Sequence, residues 1–313
     1  MHVLITGASG YVGAVLTPMV RDAGHRVTAL DTMWFGNHLG ESARRYRVCE
    51  ADIRDGLHAF DTIDAIIHLA AVSNDESVEA EQKLSRSVNL DATRALVHSA
   101  RSLRIKRFIF ASTSAVYGHS PQPMQVGDPC DPIFNYAKWK FEAERSVIDT
   151  GYTVVRPAAL FGHSPRMRFD LGVNILTAHA VAEGRIEVWG GEQMRSTLHV
   201  HDMAYAYCQL LRAPLEHVRA KIFNIGGENQ SVQQLAERVQ AVTGALIYKT
   251  DAKDTRSYQI DSSAWRQLFG TPRRSIEDGI TEIAANIKAD RYSDPLGNDI
   301  YHNVRWMRRR LAA

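Results

Sequence analysis

A short apolar run, His2–Thr6 (HVLIT), passes directly into three glycines spaced G-x-x-G-x-x-G: Gly7, Gly10 and Gly13, in the stretch Gly7-Ala8-Ser9-Gly10-Tyr11-Val12-Gly13. An amphipathic segment follows at once. Glycines let a chain turn tightly and let its backbone approach a ligand closely. A helix that starts at such a turn offers unpaired N–H groups and the positive end of its dipole to an anion. A glycine triplet by itself indicates a turn. One placed between a strand and a helix matches the fingerprint for the pyrophosphate of a dinucleotide.

More short apolar runs follow: Arg26–Leu30, Ala65–Leu69, Arg107–Ala111 and Thr153–Arg156. Between them lie amphipathic stretches such as Leu90–Arg104. Strands separated by helices pair in parallel, because parallel neighbours need a crossover, and buried parallel strands read as continuous apolar runs. The expectation is an α/β fold with a doubly wound parallel Rossmann sheet. One feature conflicts with this reading. Pro18 falls inside the first expected helix, where it removes a hydrogen bond and costs about 3 kcal/mol, so a kink or a different boundary is implied.

Beyond Phe161 the pattern changes. Residues 162–172 (GHSPRMRFDLG) read as a loop, with helices expected at Ile175–Ala182, Val200–Leu211 and Val232–Val242. A late strand, Ile222–Ile225, stops at Gly226-Gly227. The division expected is a dinucleotide-binding domain over 1–161 and a smaller mixed α/β substrate domain over 162–313, with some segments returning to the sheet.

Asp31 closes the second strand about twenty residues after the glycines, where an acid suits the paired ribose hydroxyls of NAD and repels the extra phosphate of NADP. Asp52 and Ile53 follow the third strand, and a carboxylate there could take the adenine amino group. Leu69, Ala70 and Ala71 end the fourth strand with mostly small side chains, leaving room for the cofactor. His68 reads as a packed strand histidine.

Tyr136 and Lys140 are four residues apart, on one face of a helix. A tyrosine has an ordinary pKa near 10, too high for a base at neutral pH. A neighbouring ammonium stabilises the phenolate and lowers that value. Upstream, Ser112-Thr113-Ser114 closes the RFIFA strand, and strand carboxyl ends are where ligands bind in open α/β sheets.

Net charge is +2, which gives no argument for a nucleic-acid or membrane partner. The basic stretch Arg305–Arg310 reads as a solvated terminal helix face. Cys49, Cys130 and Cys208 are far apart, with no metal-ligand spacing, so free thiols in a reducing cytoplasm are expected and no metal site. The first residues run straight into an apolar strand, so no signal peptide is expected.

In order along the chain stand TGASGYVG, Asp31, ADI at 51–53, HLAA, Asn89 in SVNLDAT, ASTSAVYG, YAKWK, VVRP, RSTLHVHD and DTRSYQID. Together they resemble the extended short-chain dehydrogenase/reductase family, in its NAD-dependent sugar-nucleotide epimerase/dehydratase branch. The resemblance implies NAD as cofactor and a sugar-nucleotide substrate. It implies that Thr113 bonds the reacting sugar oxygen, that Tyr136 is the base, and that Lys140 binds the nicotinamide ribose and tunes Tyr136. Ser114 lies beside the substrate and Asn89 beside the cofactor. Asn174 matches an amide on the substrate diphosphate, and Arg195 and Arg256 match two arginines that clamp it. The helices Leu90–Arg104 and Asn135–Asp149 correspond to a four-helix dimer interface, which implies a homodimer.

Two departures bear on the reaction. Similar 4,6-dehydratases carry an acid after the strand-end threonine, where this chain has Ser114 and Ala115. Several 4-epimerases carry an asparagine soon after the arginine of VVRP, where this chain has Pro157-Ala158-Ala159. The favoured expectation is a sugar-nucleotide 4-epimerase acting through transient oxidation at C4. The alternatives are a dehydrogenase or keto-sugar reductase with net cofactor turnover, and a non-catalytic NAD-binding sensor.

Overall fold

The fold is described from a computed structural model, which covers residues 1–40, 45–56, 62–250 and 256–311. Strand β1 (His2–Thr6) delivers the chain into the glycine turn, and α1 (Gly13–Asp22) leaves it. Helix α1 runs through Pro18, which forgoes the bond its N–H would have made to the Ala14 carbonyl. Burial of Val15, Leu16 and Val20, and packing against a later helix, carry α1 past that loss. Strand β2 (Arg26–Asp31) includes Asp31 as its last residue, and β3 (Arg47–Glu50) lies beside it. Strand β4 (Ala65–His68) is buried along its whole length.

Where one helix is expected from Leu90 to Arg104, the structure differs. Short helices α2 (Asp75–Ala80) and α3 (Gln82–Arg86) lead into a wide π-type turn at Ser87–Ala92, and only then into α4 (Thr93–Ser102). The turn contains Asn89, whose buried side chain accepts from the Val72 N–H and donates to the Val72 carbonyl. Its own carbonyl takes the Thr93 hydroxyl at 2.9 Å. Strand β5 (Arg107–Ala111), the two-residue β6 (Pro123–Met124), α5 (Asn135–Asp149) and β7 (Thr153–Pro157) follow.

Next come β8 (Ala159–Phe161), α6 (Gly172–Glu183), β9 (Arg185–Trp189), β10 (Met194–His199), α7 (Val200–Arg212), α8 (Leu215–Val218) and β11 (Ile222–Ile225). The chain continues through β12 (Glu228–Ser231), α9 (Val232–Thr243), β13 (Leu246–Thr250), β14 (Gln259–Ile260), α10 (Ser263–Phe269), α11 (Ile276–Lys288) and α12 (Asn303–Leu311). The loop expected over 162–172 is present, except that Gly172 already opens α6.

Seven strands make one parallel sheet in the order β11-β7-β5-β4-β1-β2-β3. The direction of winding reverses between β1 and β4, and ligands of such sheets bind outside the strand carboxyl ends at that switch point. Strand β11 returns from the second half of the chain to sit beside β7. The remaining strands form small sheets, β12-β10-β8, β13-β9 and β14-β6. The β10 pairings bring Arg195 toward the carboxyl edge of the large sheet. Among the described residues no helix is long and apolar enough to cross a membrane.

Candidate active site

A cleft of ≈ 970 Å³ opens at the switch point. Of the residues singled out from the sequence, Asn89 and Asn174 do not line it, and all the others do. The glycine turn forms its floor. A β-carbon on Gly7 would stand 2.7 Å from the Ala70 nitrogen, and one on Gly13 would overlap the Gly7 carbonyl oxygen. Side chains at either position would therefore push strands and helix apart. Helix α1 starts here; the Ala14 and Val15 N–H groups already bond the Gly10 and Val12 carbonyls at 2.9 and 3.2 Å, so an anion would be met by the N–H groups just ahead of them at the helix start.

At the far end of β2 the Asp31 carboxylate accepts from the Ser9 and Met33 N–H groups, each at 2.9 Å. Burial pushes its pKa up, against those two bonds and the nearby Arg166 and His38. The acid is thus fixed in orientation at the place where a ribose would lie. Asp52 is already engaged by Arg54, at 2.8–3.0 Å through both its oxygens. Burial works to raise its pKa, and the Arg54 bonds outweigh it and hold the carboxyl below its ordinary range. Tyr11 lines the cleft, but its hydroxyl donates to the Gly162 carbonyl at 2.6 Å and is not presented to a ligand. His68 is a packed strand histidine between the Thr6 and Thr93 hydroxyls, with burial pushing its pKa down to about 3.

Two of the expected site residues turn away from the cleft. The Asn89 side chain is wholly occupied by Val72 and is fully buried, so it braces the strand end behind the cleft. Asn174 is also fully buried. Its Oδ1 accepts from the Gly162 N–H, and its Nδ2 donates to the Arg168 carbonyl and the Tyr11 hydroxyl. With those bonds made, its amide is spent on holding the 162–171 loop and does not face the cleft.

Tyr136 and Lys140 stand one turn apart on α5, as the spacing requires, and Thr113 caps the short helix that follows β5. A buried network anchors α5 to the strand ends. Glu144 receives the Ser112 hydroxyl at 2.8 Å and the Arg156 guanidinium, which also lies over the Tyr117 ring. The electrostatics differ from the simple expectation. Burial pushes the Tyr136 pKa upward and nearby Asp75 adds to it, while Arg168 and the Thr113 hydroxyl oppose. Burial also pushes Lys140 down to about 7, against Glu144. Its ammonium lies 4.4 Å from the Phe110 ring centroid, and the residue is 2% exposed. Lys140 therefore does not dominate the field at Tyr136 in the protein alone; desolvation does.

Sequence reasoning missed several neighbours. Arg168 forks onto Asp170 at 2.8 and 3.0 Å and donates to Ser73 at 3.1 Å. Asn74, in a left-handed conformation with φ 76°, starts α2 and donates to Asp170 at 3.3 Å. Asp75 pairs with Arg256 at 3.7 Å. Arg195 donates to the Arg256 main-chain carbonyl and lies 5.6 Å from the Tyr258 ring centroid, and both arginines line the cleft. The signal for Asn74-Asp75 was the polar run Ser73–Ser77, a few residues past a strand end. Arg168-x-Asp170 sat in a stretch read simply as loop. Among the described residues no group of three or more His, Cys, Asp or Glu could hold a metal.

The site thus fits a dinucleotide, with a turn that tolerates no side chain, a helix start for phosphates and a fixed acid for a ribose. Comparison with known proteins agrees. Residues 3–226 match the model of the NAD dependent epimerase/dehydratase family. The chain is 27% identical over 307 residues to a UDP-glucose 4-epimerase of Mycolicibacterium smegmatis, covering 90% of this chain and 97% of the relative. It is 26% identical over 312 residues to a dTDP-glucose 4,6-dehydratase of Streptomyces niveus, covering 90% and 91%. Its fold is similar to that of the Thermotoga maritima UDP-glucose 4-epimerase crystallised with UDP-glucose, with a TM-score of 0.82, 22% identity, and coverage of 93% and 100%. The chain belongs to the NAD-dependent epimerase/dehydratase family, and it is an enzyme whose cofactor is NAD.

Proposed function

We propose that this enzyme is a sugar-nucleotide 4-epimerase in which Tyr136 is the base. The observation that carries the reading is the meeting of Thr113, Tyr136 and Lys140 in one cleft with Arg195 and Arg256, while Ser114 and Ala115 stand where a dehydratase acid is expected. In this reading Arg195 and Arg256 hold the substrate diphosphate, because a guanidinium fork matches phosphate oxygens. Thr113 hydrogen-bonds the sugar C4 oxygen and Tyr136 takes its proton. NAD, when bound, supplies a two-electron acceptor that takes hydrogen from the carbinol carbon and returns it. Arg168, fixed by Asp170, contributes positive charge near the phenol. Positioning by the diphosphate clamp supplies much of the rate.

A second reading, dehydration, draws support from Asp75. Its Oδ1 is buried without a hydrogen-bond partner, and the residue lines the same cleft. That carboxyl could act as the acid that Ser114 and Ala115 do not provide.

The deciding experiment incubates the enzyme with UDP-, GDP-, CDP- and dTDP-sugars and follows products by mass spectrometry and NMR. An isomer of unchanged mass is expected. Loss of water would favour the Asp75 reading, and loss of two hydrogens with net NADH would favour a dehydrogenase. In the same assay Tyr136→Phe is expected to lower turnover about 10²–10⁴-fold with NAD binding retained. A variant near the wild-type rate would remove Tyr136 from the chemistry.

Cofactor preference follows from Asp31, whose fixed carboxylate would face the 2′-phosphate of NADP. Titration of both cofactors is expected to give tighter binding of NAD, and Asp31→Ser is expected to narrow the gap. Equal affinities in the wild type would contradict the assignment.

Lys140 makes stability depend on pH. Its folded pKa of about 7 lies below the ordinary 10.5, so between those values the unfolded chain binds more protons and this group's contribution to stability rises with pH. The cost of burying the charge is complete below about 7 and vanishes above 10.5. Lys140→Met in NAD-stripped protein is therefore expected to melt above wild type below pH 7, with the advantage shrinking toward pH 10.5. A difference that does not change with pH would contradict the burial argument.

A further inference from the structure

The basic C-terminal segment is more than a solvated face. Helix α12 packs across the end of the cleft marked by Asp31. The Trp306 indole N–H donates to the Trp34 carbonyl at 2.6 Å, and its ring lies 6.4 Å from that of Phe35. Trp34 and Phe35 follow Asp31 within four residues. Met307 is 3% exposed and belongs to the same apolar cluster as Leu30 and Ile53. Asn303 fixes the start of the helix, with its N–H on Asp170 and its amide on Ser73, each at 3.1 Å. Arg305 and Arg308, one turn apart, line the cleft.

Arg166 supplies a second, independent observation. It lines the cleft, is 2% exposed, and its guanidinium lies 4.1 Å from the Phe35 ring centroid. Asn303 accepts from its Nη2. Its Nη1 is buried with no hydrogen-bond partner. An orphaned buried donor on a cation is costly, and a ligand that accepted from it would remove that cost. Arg166 lies over Phe35, four residues past Asp31, at the end of the cleft where the ribose acid stands, so the acceptor its free donor fits is an oxygen of the adenosine half of the cofactor.

We propose that α12 is part of the NAD site: it closes over the adenosine end, its Asn303 orients Arg166 toward the cofactor, and Trp306 and Arg308 set how fast NAD leaves. The helix must swing away, breaking the Trp306–Trp34 bond, before the adenosine end can withdraw. A cofactor held in this way stays through many turnovers. The proposal rests on NAD being the cofactor and not on which reaction is catalysed.

The test uses the purified enzyme with its bound NAD and follows exchange against isotopically labelled NAD, with released cofactor quantified after denaturation. Wild type is expected to exchange slowly. Trp306→Ala is expected to exchange on the order of tenfold faster, and Arg308→Ala to exchange faster as well. Trp306→Phe keeps an aromatic ring on the Phe35 side but loses the N–H, and is expected to fall between wild type and alanine. It carries the test if the alanine variant does not fold. Arg309→Ala is the control, since Arg309 pairs with Asp299 at 3.7 Å and does not line the cleft. Exchange in Trp306→Ala or Trp306→Phe equal to wild type would overturn the proposal. So would wild-type exchange complete within mixing, or an Arg309→Ala effect as large as that of Trp306. Product identity does not enter this readout, so failure of the epimerase reading leaves it untouched.

Discussion

The turn at Gly7 is wedged against the main chain of Ala70, and its φ of +69° together with that contact excludes any side chain. From this close approach the cleft follows. The Ala8 N–H bonds the Leu30 carbonyl and the Leu69 N–H bonds the Thr6 carbonyl, which ties the ends of β1, β2 and β4 together. Gly13 packs on the Gly7 carbonyl, so α1 begins in the crevice itself and not above it. Parallel pairing then sets the remaining strand ends in line, and Asp31, Ala70 and Thr113 reach the same edge. A wider turn would separate the sheet from the helix start and leave no common floor for cofactor and substrate.

Burial sets the chemistry on that floor. A tyrosine and a lysine one turn apart in water would be a weakly coupled pair. Here desolvation moves both away from their charged forms, Tyr136 upward and Lys140 down to about 7. Arg168 stays charged in the same region because Asp170 and Ser73 satisfy it. A buried ion pair adds little to stability but fixes a charge in place. The Glu144–Arg156 pair does comparable work beneath α5, holding the helix to the ends of β5 and β7 and so keeping Tyr136 in register with Thr113. The floor of the cleft beneath α5 is therefore a buried one organised by two buried ion pairs, suited to moving a proton between fixed groups.

Much of this was legible from local pattern. Apolar runs located β1, β2, β4, β5, β7 and the late β11 but not the half-exposed β3, the glycine spacing located the turn, and Tyr136 and Lys140 followed from helix periodicity. Asn89 and Asn174 sat at the right positions in the chain and had their amides turned inward, because a motif fixes the place of a residue and not the direction of its side chain. Asp75 was hidden because its partner Arg256 comes from a distant segment, and Arg168 and Asp170, though they pair across two positions, because Ser73, Asn74 and Asn303, which hold them at the cleft, do too. Helix α12 is the extreme case. Trp306 meets Trp34 across 272 positions, and a run of arginines reads as solvated when its apolar neighbours, Trp306 and Met307, have no visible partner. The charge reading holds for Arg309, which is exposed, and misses that Arg305 and Arg308 border the cleft and that Arg310 lies over the Trp34 ring.

The central claim is that the C4 hydrogen leaves the sugar and returns without meeting solvent. It is tested by letting the enzyme equilibrate its sugar nucleotide in deuterated water and reading the ring positions of both isomers by NMR. The account predicts protium at C4, and at every other ring carbon, in substrate and product alike. Deuterium at C4 would contradict transient oxidation within a closed site, and deuterium at C5 would show a carbon acid being deprotonated, the chemistry of a dehydratase.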